Sequence, residues 1–504
     1  TANTNESGNV AIGANALKLL DNGSTQYTYN TAVGHSAGLS VSTGIQNTLI
    51  GGLAGDALTT GSENIAIGYA ALSSEDGDGR NVAIGVNALE DLNAGADAYN
   101  IAIGHDAGRN VTTGIKNNLI GGLAGDALTT GSYNVAIGYN ALSTEDEHGR
   151  NIAIGHNALF SLNAGADAYN VAIGYDTGWN ITTGVNNVLV GGQAGDALTT
   201  GNHNIAIGRD ALSTEDAHGY NIAIGGYALQ DQDAGVDAHN IAIGHQAGTD
   251  VSTGIRNILI GGFTGDALTT GSYNVAIGYD ALSTEDGNGL NVAIGYAALK
   301  TQNAGADAYN VAIGFEAGKL VSTGIYNTLI GGLAGTALTT GSGNTILGNQ
   351  AGDALTTGNN NVAIGYLALS TEDEHGGNIA MGAGALQVQN AGAHAYNVAV
   401  GHNAGTTVST GVQNTLIGGR AGDALTTGSY NIAIGMDALT IEDTGSRSVA
   451  IGTNALFNQN YDGDAYNVAI GMSAGSQITT GVQNVIVGGL AGDALTTGGG
   501  NVAM

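Results

Sequence analysis

The pentad Asn-[Val/Ile]-Ala-Ile-Gly dominates this chain. It starts at Asn9, Asn30, Asn47 and Asn64 and recurs to Asn501, 29 starts in all, with Asn first in 28 of them and Ser448 the exception. The fifth residue is Gly in all 28 complete pentads. After one opening interval of 21, the spacings run 17, 17, 17, 19 and repeat, a 70-residue super-repeat of four units. One unit carries Ser143-Thr144-Glu145-Asp146 and the next carries NAGADAY from Asn163 to Tyr169. The third reads NVAIGYDTGWNITTG from Asn170, and the fourth reads GGQAGDALTTG from Gly191. An additional GDALTTG-type unit stands at 344–360.

A fixed period of this kind decides architecture before any local propensity does. Seventeen residues are too few for a helical repeat of 33 or more. Within a pentad, Val135 and Ile137 alternate with Asn134, Ala136 and Gly138, which is the period of a strand. A second extended stretch, Leu128-Thr129-Thr130, ends at Gly131. The expected fold is therefore all-β, a parallel β-solenoid (β-roll) of about 28 coils, each with two strands and two turns. A polar lead-in at 1–8 precedes one continuous solenoid over 9–504. Composition agrees. Proline is absent, where average usage would supply roughly 25, and proline cannot donate to a central ladder. Glycine numbers 87 and aromatics are 5%, which suits tight corners around a narrow core.

The first-position amides are expected to stack as an Asn ladder along the coils. Asn64, Asn81, Asn100, Asn117, Asn134, Asn151, Asn170 and Asn187 represent it, and Ser448 is the expected weak point. If Val and Ile face the core, the third pentad residue faces out. That residue is Ala except in GDALTTG units, where it is Leu49, Leu119, Leu189, Leu259, Leu329, Ile346, Leu416 or Ile486. An outer face of Ala studded with Leu reads as an inter-chain interface. A homotrimer about one axis is the expected assembly; a monomer and a head-to-tail filament are the alternatives.

Acidic residues number 42 against 11 basic, a net charge of −31. This disfavours nucleic acid and anionic membrane as partners. The Glu-Asp pairs (Glu75-Asp76, Glu145-Asp146, Glu215-Asp216, Glu285-Asp286, Glu372-Asp373, Glu442-Asp443) occur in one coil of four. They lie about 19 Å apart along the stack, beyond a Debye length of about 8–10 Å. They read as solvated loops with neither EF-hand spacing nor the nonapeptide calcium repeat. Asp126 and its equivalents after Gly read as turn residues bonded to their own backbone. Tyr99, Tyr169, Tyr309, Tyr396 and Tyr466 read as packing on the longer loop, with a glycan-contacting stripe as the alternative. Thr-Thr pairs suggest ice binding, but they alternate with acidic loops. With no cysteine and no nucleophile–base–acid set, no enzyme, cofactor or metal is expected. No transmembrane run, signal peptide or lipidation motif is present in the sequence, so membrane insertion is not expected.

The pentad resembles the head repeat of trimeric autotransporter adhesins, whose N-S-V-A-I-G units wind a left-handed parallel β-roll in each of three chains. It is also similar to N-T-A-[IV]-G-x-x-A-L repeats of phage tail-fibre proteins; Asn30-Thr31-Ala32-Val33-Gly34 matches that form. The resemblance covers the chain but only its scaffold positions, so it carries over no binding residue. It departs from the adhesins in unit length and in lacking neck and stalk motifs. It implies left-handedness, an extracellular place on a virion or cell surface, and a structural role as the shaft of a fibre that presents a surface for attachment. A phage tail-fibre segment leads. An adhesin head and a self-polymerising filament subunit are the alternatives, with a cell-surface receptor or glycan as the outside partner.

Overall fold

A computed structural model describes residues 8–21, 27–77 and 79–504. Of the polar lead-in at 1–8, all but Gly8 lies outside the described residues. The chain falls into two compact units, Thr1–Ile255 and Arg256–Met504. The first holds strands β1 (Val10–Ile12) to β14 (Ile241–Ile243), and the second holds β15 (Ile258–Ile260) to β29 (Val502–Ala503). Each unit is a parallel β-solenoid with coils about 17 residues apart and, among the described residues, no helix.

Each coil contributes one three-residue strand, paired in register with its neighbours. In the first unit β8 (Val135–Ile137) lies on β9 (Ile152–Ile154) with Val135 opposite Ile152, Ala136 opposite Ala153 and Ile137 opposite Ile154. The expected second strand is absent: Leu128-Thr129-Thr130 is a bend. It is still tied to the next coil, because Thr129 N donates to Asp146 O at 2.6 Å and Thr129 Oγ1 donates to the same carbonyl at 2.8 Å. The Thr130 hydroxyl likewise donates to Glu147 O of the next coil at 3.1 Å. A third column of inter-coil bonds runs through the corner after the pentad Gly. There Gly125 N donates to Ala141 O (2.9 Å) and Leu142 N to Ala158 O (3.0 Å).

The facing of the strand is the reverse of the expectation. Ala136 in β8 is fully buried, and Val135 and Ile137 on either side of it are only half-buried and point outward. Leu49, Leu119, Leu189, Leu259, Leu329, Ile346, Leu416 and Ile486 are all 0% exposed within the single chain. They form the core and are not an inter-chain surface.

The reason is volume. Where the inner strand residue is Ala136, the residue six positions on is the buried Leu142; where it is Leu119, that position is Gly125. A Cβ at Gly125 would lie 2.8 Å from both Leu119 Cδ2 and Leu128 Cδ1. Leu119 also fills the space over Gly108 in the preceding coil, whose Cβ would meet Leu119 Cδ1 at 2.5 Å. In these unit types one large side chain fills the narrow interior from one wall or the other, and the layer with Ala102 and Gly108 takes its filling from Leu119 of the next coil.

The Asn column is where it was expected, and the Asn are buried. Its bonding differs. Asn134 N donates to Asn117 Oδ1 (2.9 Å), while Asn117 Nδ2 donates to Gly131 O (2.9 Å), 14 residues on in its own coil. Each side chain thus links to the backbone of the next coil and pins its own coil shut. Amide-to-amide bonds between coils join only some members, as when Asn344 Nδ2 donates to Asn327 Oδ1 (3.1 Å).

In 19-residue coils the corner carbonyl is out of place. Asn291 Oδ1 still accepts from Asn310 N (3.1 Å), but its Nδ2 has no partner. Ser448 occupies this same unit type and lacks the whole amide, including the Oδ1 that accepts from the next coil's N–H at Asn291. Its Oγ instead accepts from Gln459 Nε2 (2.8 Å).

Two tests follow from this packing. Leu119→Ala should cost about 2–5 kcal/mol, and Gly125→Leu alone should clash. The double variant should be markedly less destabilised than the sum of the two, because it recreates the Ala136/Leu142 arrangement; a double-mutant cycle on chemical unfolding reads the coupling. Asn117→Ala orphans a buried N–H and a buried C=O and should cost about 2–4 kcal/mol. Asn291→Ala orphans one group and should cost about half as much. Hydrogen-exchange protection of the adjoining coils distinguishes them.

Candidate functional site

Turning Ala and Leu inward puts two β-branched residues of every strand on the outside. In β10 (Val171–Ile173), Val171 is half-buried and Ile173 is 37% exposed. The outer sheet face of each unit is therefore a double row made mostly of Val and Ile, with Thr31, Thr48, Asn118, Thr328, Thr345 and Thr415 among them and no charged residue in it. The sequence reading placed an apolar face here correctly but assigned it the wrong residues.

Side chains of the flanking turns rim this face. The residue just before each pentad sits in a left-handed conformation, as at Tyr133 (φ 63°), and projects outward. Over Arg80 to Tyr169 and Tyr430 to Tyr466 this column alternates aromatic and cationic groups. The Arg150 guanidinium carbon lies 5.7 Å from the Tyr133 ring centre and 5.5 Å from that of Tyr169. Arg447 bridges Tyr430 and Tyr466 at 5.2 and 5.8 Å. Five of the 11 basic residues stand at this position of the coil, Arg80, Lys116 and Arg150 in the first unit and Arg256 and Arg447 in the second. Several are neutralised locally: Arg150 pairs with Asp167, and Arg447 with Asp464 at 3.2 Å.

Tyr99, Tyr169, Tyr309, Tyr396 and Tyr466 belong to the column and are 47–58% exposed, so they stand outward instead of packing on the longer loop. On the opposite rim, the residue after the pentad Gly builds aromatic stacks. Tyr139, His156 and Tyr175 stack at 5.6 and 5.4 Å, and Tyr279, Tyr296 and Phe315 at 6.0 and 5.3 Å. A flat apolar centre with a Tyr/Arg rim has the composition of a protein interface.

The acidic turns also depart from expectation. Glu75, Glu145, Glu215, Glu285, Glu372 and Glu442 are each 0% exposed. Each occupies the core corner that holds Leu128, Leu162 or Ile181 in the other unit types. The following Asp remains at the surface or half-buried, so only that part of the pair behaves as a solvated loop.

The Glu folds back on its own turn. Glu145 Oε1 accepts from His148 N (3.1 Å), and its Oε2 accepts from Ala164 N of the next coil (3.3 Å). Glu442 is the most fully satisfied, accepting from Gly445 N (2.7 Å) and Gln459 Nε2 (2.9 Å). Glu215 and Glu372 keep the Oε1 contact to His218 N and His375 N, but Oε2 has no partner in either.

Burial pushes the carboxyls of Glu145, Glu215, Glu285, Glu372 and Glu442 above their ordinary value, opposed by these backbone bonds. In the GDALTTG turns, burial likewise raises Asp56, Asp126 and Asp353, and pushes Asp196 up to about 6. Each of these four Asp bonds its own backbone N–H, as expected for a turn residue, and each leaves Oδ1 buried without a partner.

No protein-family model matches the sequence, and no curated protein matches it either. Among the described residues, no helix is long and apolar enough to cross a membrane.

These carboxyls fix the sign of the pH dependence. A carboxyl whose folded pKa lies above its unfolded value binds more protons in the folded state. Its contribution to stability is fully present below the unfolded pKa, near 4, and is lost as pH rises through the folded pKa, about 6 for Asp196. The melting temperature should therefore rise as pH is lowered from 7 towards 5. Replacing Glu145, Glu215, Glu285, Glu372 and Glu442 together by Gln should flatten that slope. Differential scanning calorimetry at matched ionic strength checks both outcomes.

Proposed function

We propose that this chain is a structural element, the shaft of an extracellular or virion fibre, and that copies associate through their Val/Ile sheet faces, three about a common axis. The observation that carries this reading is the long, uncharged and largely apolar outer face with its aromatic rim. The 14 strands of the first unit and the 15 of the second present strips of roughly 670 and 720 Å² at about 4.8 Å per strand and about 10 Å of strand width. The rim columns take each unit past the roughly 800 Å² per partner of a stable interface. Monomeric proteins seldom leave so long an apolar surface in water. A second copy of the same repeat is the partner whose spacing matches it strand for strand.

The role is mechanical. Inter-coil hydrogen bonds and a continuous core supply stiffness along each unit, and the net charge of −31 keeps assembled fibres soluble. The outer Tyr–Arg rim is the surface offered to a receptor or glycan. Among the settings for such a shaft, a phage tail fibre leads, with a bacterial surface adhesin or a filament subunit as the competing assemblies.

Light scattering on the purified chain tests the reading, with electron microscopy to separate closed rods from growing filaments. A mass of three chains is expected. The variant Ile137→Lys/Ile154→Lys/Ile173→Lys should fall to the single-chain mass with an unchanged far-ultraviolet spectrum, since these side chains point away from the core. A single-chain mass for the unmodified protein at micromolar concentration would sink the proposal.

A further inference from the structure

We propose that the turn Glu215-Asp216-Ala217-His218, with Asp233 of the following coil, is a binding site for a borderline divalent cation of the zinc class. One ligand atom from each of Glu215, Asp216, His218 and Asp233 lies within 4.8 Å of the others. Two of these groups offer a buried ligand atom. The Glu215 side chain is 0% exposed, its Oε1 is held by His218 N (3.0 Å), and its Oε2 has no hydrogen-bond partner. His218 Nδ1 is also buried, and the group it faces is Glu215 Oε1 at 3.4 Å. Two ligands of a tetrahedral zinc ion with bonds of about 2.0–2.1 Å sit about 3.4 Å apart. The spacing of Nδ1 and Oε1 already matches that edge.

The donor chemistry narrows the ion. One imidazole and three carboxylates, with no thiolate in the chain, suit Zn²⁺ or Mn²⁺ better than a soft monovalent ion. A purely oxygen set, as Ca²⁺ prefers, would not include the imidazole. A dication also offsets the cost of holding Glu215 in the core as a carboxylate.

The arrangement recurs with three donors at Glu145/Asp146/His148 and Glu372/Asp373/His375, where the His Nδ1 to Glu Oε1 distance is 3.7 Å. The chain also supplies its own control. In the turn at Glu285 the His is replaced by Asn288, whose Nδ2 donates to Glu285 Oε1 at 3.3 Å. There a proton donor stands where the other turns place a lone pair. Asn in this position is thus compatible with the fold.

The experiment is equilibrium dialysis of the full chain against Zn²⁺, with thermal melts followed by circular dichroism. The unmodified protein should retain up to three Zn²⁺ per chain, one class tighter than the rest, and melt higher with Zn²⁺ than without. His218→Asn should remove the tight class, with affinity falling at least tenfold. His148→Asn/His218→Asn/His375→Asn should lose all three sites and the Zn²⁺-dependent rise in melting temperature, while melting normally without metal. Retention of the same Zn²⁺ by the triple variant would assign binding to the exposed histidines and overturn the proposal, as would no retained Zn²⁺ in the unmodified protein. Because only turn residues change, the oligomeric mass should be the same in all variants.

Discussion

Every coil in this protein must present the same cross-section to the coils above and below it. The strand, the corner after the pentad Gly and the threonine bend are all tied to the adjacent coil by backbone hydrogen bonds, and those bonds hold only while the coils stay in register. A change in one layer therefore has to be balanced within that layer or its immediate neighbour. The exchange of Ala136/Leu142 for Leu119/Gly125 obeys this rule. The side-chain volume moves from one wall to the other and the backbone path stays fixed. The two additional residues of the 19-residue units obey it as well. They loop outward through Asn163 to Tyr169, and the strand that follows, β10, still meets β9 residue for residue. A solenoid can lengthen or vary at its turns but not in its stacked sections.

The same constraint explains which features were legible in the sequence. The pentad period fixed the stacking, the position of each strand and the buried Asn column. Parity was misread because both faces of the strand are apolar, so hydrophobicity cannot tell Val135 and Ile137 from Ala136. A signal was nonetheless present. Leu119 at the third pentad position goes with Gly125 six residues later and Ala136 with Leu142, while in the unit type of Ala102 and Gly108 the space is filled by Leu119 of the next coil. Compensation of that kind makes sense only for two side chains sharing one interior. The bonding of the Asn column was hidden for a different reason. A repeated amide predicts a ladder, but nothing in the repeat says that Nδ2 will prefer the carbonyl 14 residues on, since that distance depends on how tightly the coil closes.

The acidic turns show the cost of reading polarity as exposure. A Glu-Asp pair in a turn reads as solvated, and for the Asp that is adequate. Yet Glu145 stands seven residues after Gly138, the offset at which Leu128, Leu162 and Ile181 follow their own pentad glycines. Alignment of the units by their glycines, rather than by composition, places the Glu in the core. The rim is only partly legible: Tyr99, Tyr169, Tyr309, Tyr396 and Tyr466 allow a reading as an exposed stripe, but Tyr133 and Arg150, 17 residues apart, look like unrelated loop residues until stacking places them in adjacent coils.

Burial also changes the meaning of the four-coil charge period. For exposed carboxylates, a separation of about 19 Å exceeds the screening length and little more is gained. Buried carboxylates are screened far less, so the same spacing is what allows each to be held in the core without facing another directly above it. The neighbouring layers are graded to match. The corner position in the coil after the Glu is Leu92 or Leu162 in the early super-repeats and Gln232, Gln302, Gln389 or Gln459 later. At Glu442 the Gln completes the carboxylate's bonding, whereas Gln302 leaves its own Nε2 without a partner. An apolar residue would fill this corner at lower cost, as Leu128 does. A stack built for stiffness alone has no physical reason to place a Glu there in every super-repeat. The recurring Glu, with its unpaired oxygen at Glu215 and Glu372, fits a group that waits for a proton or a cation.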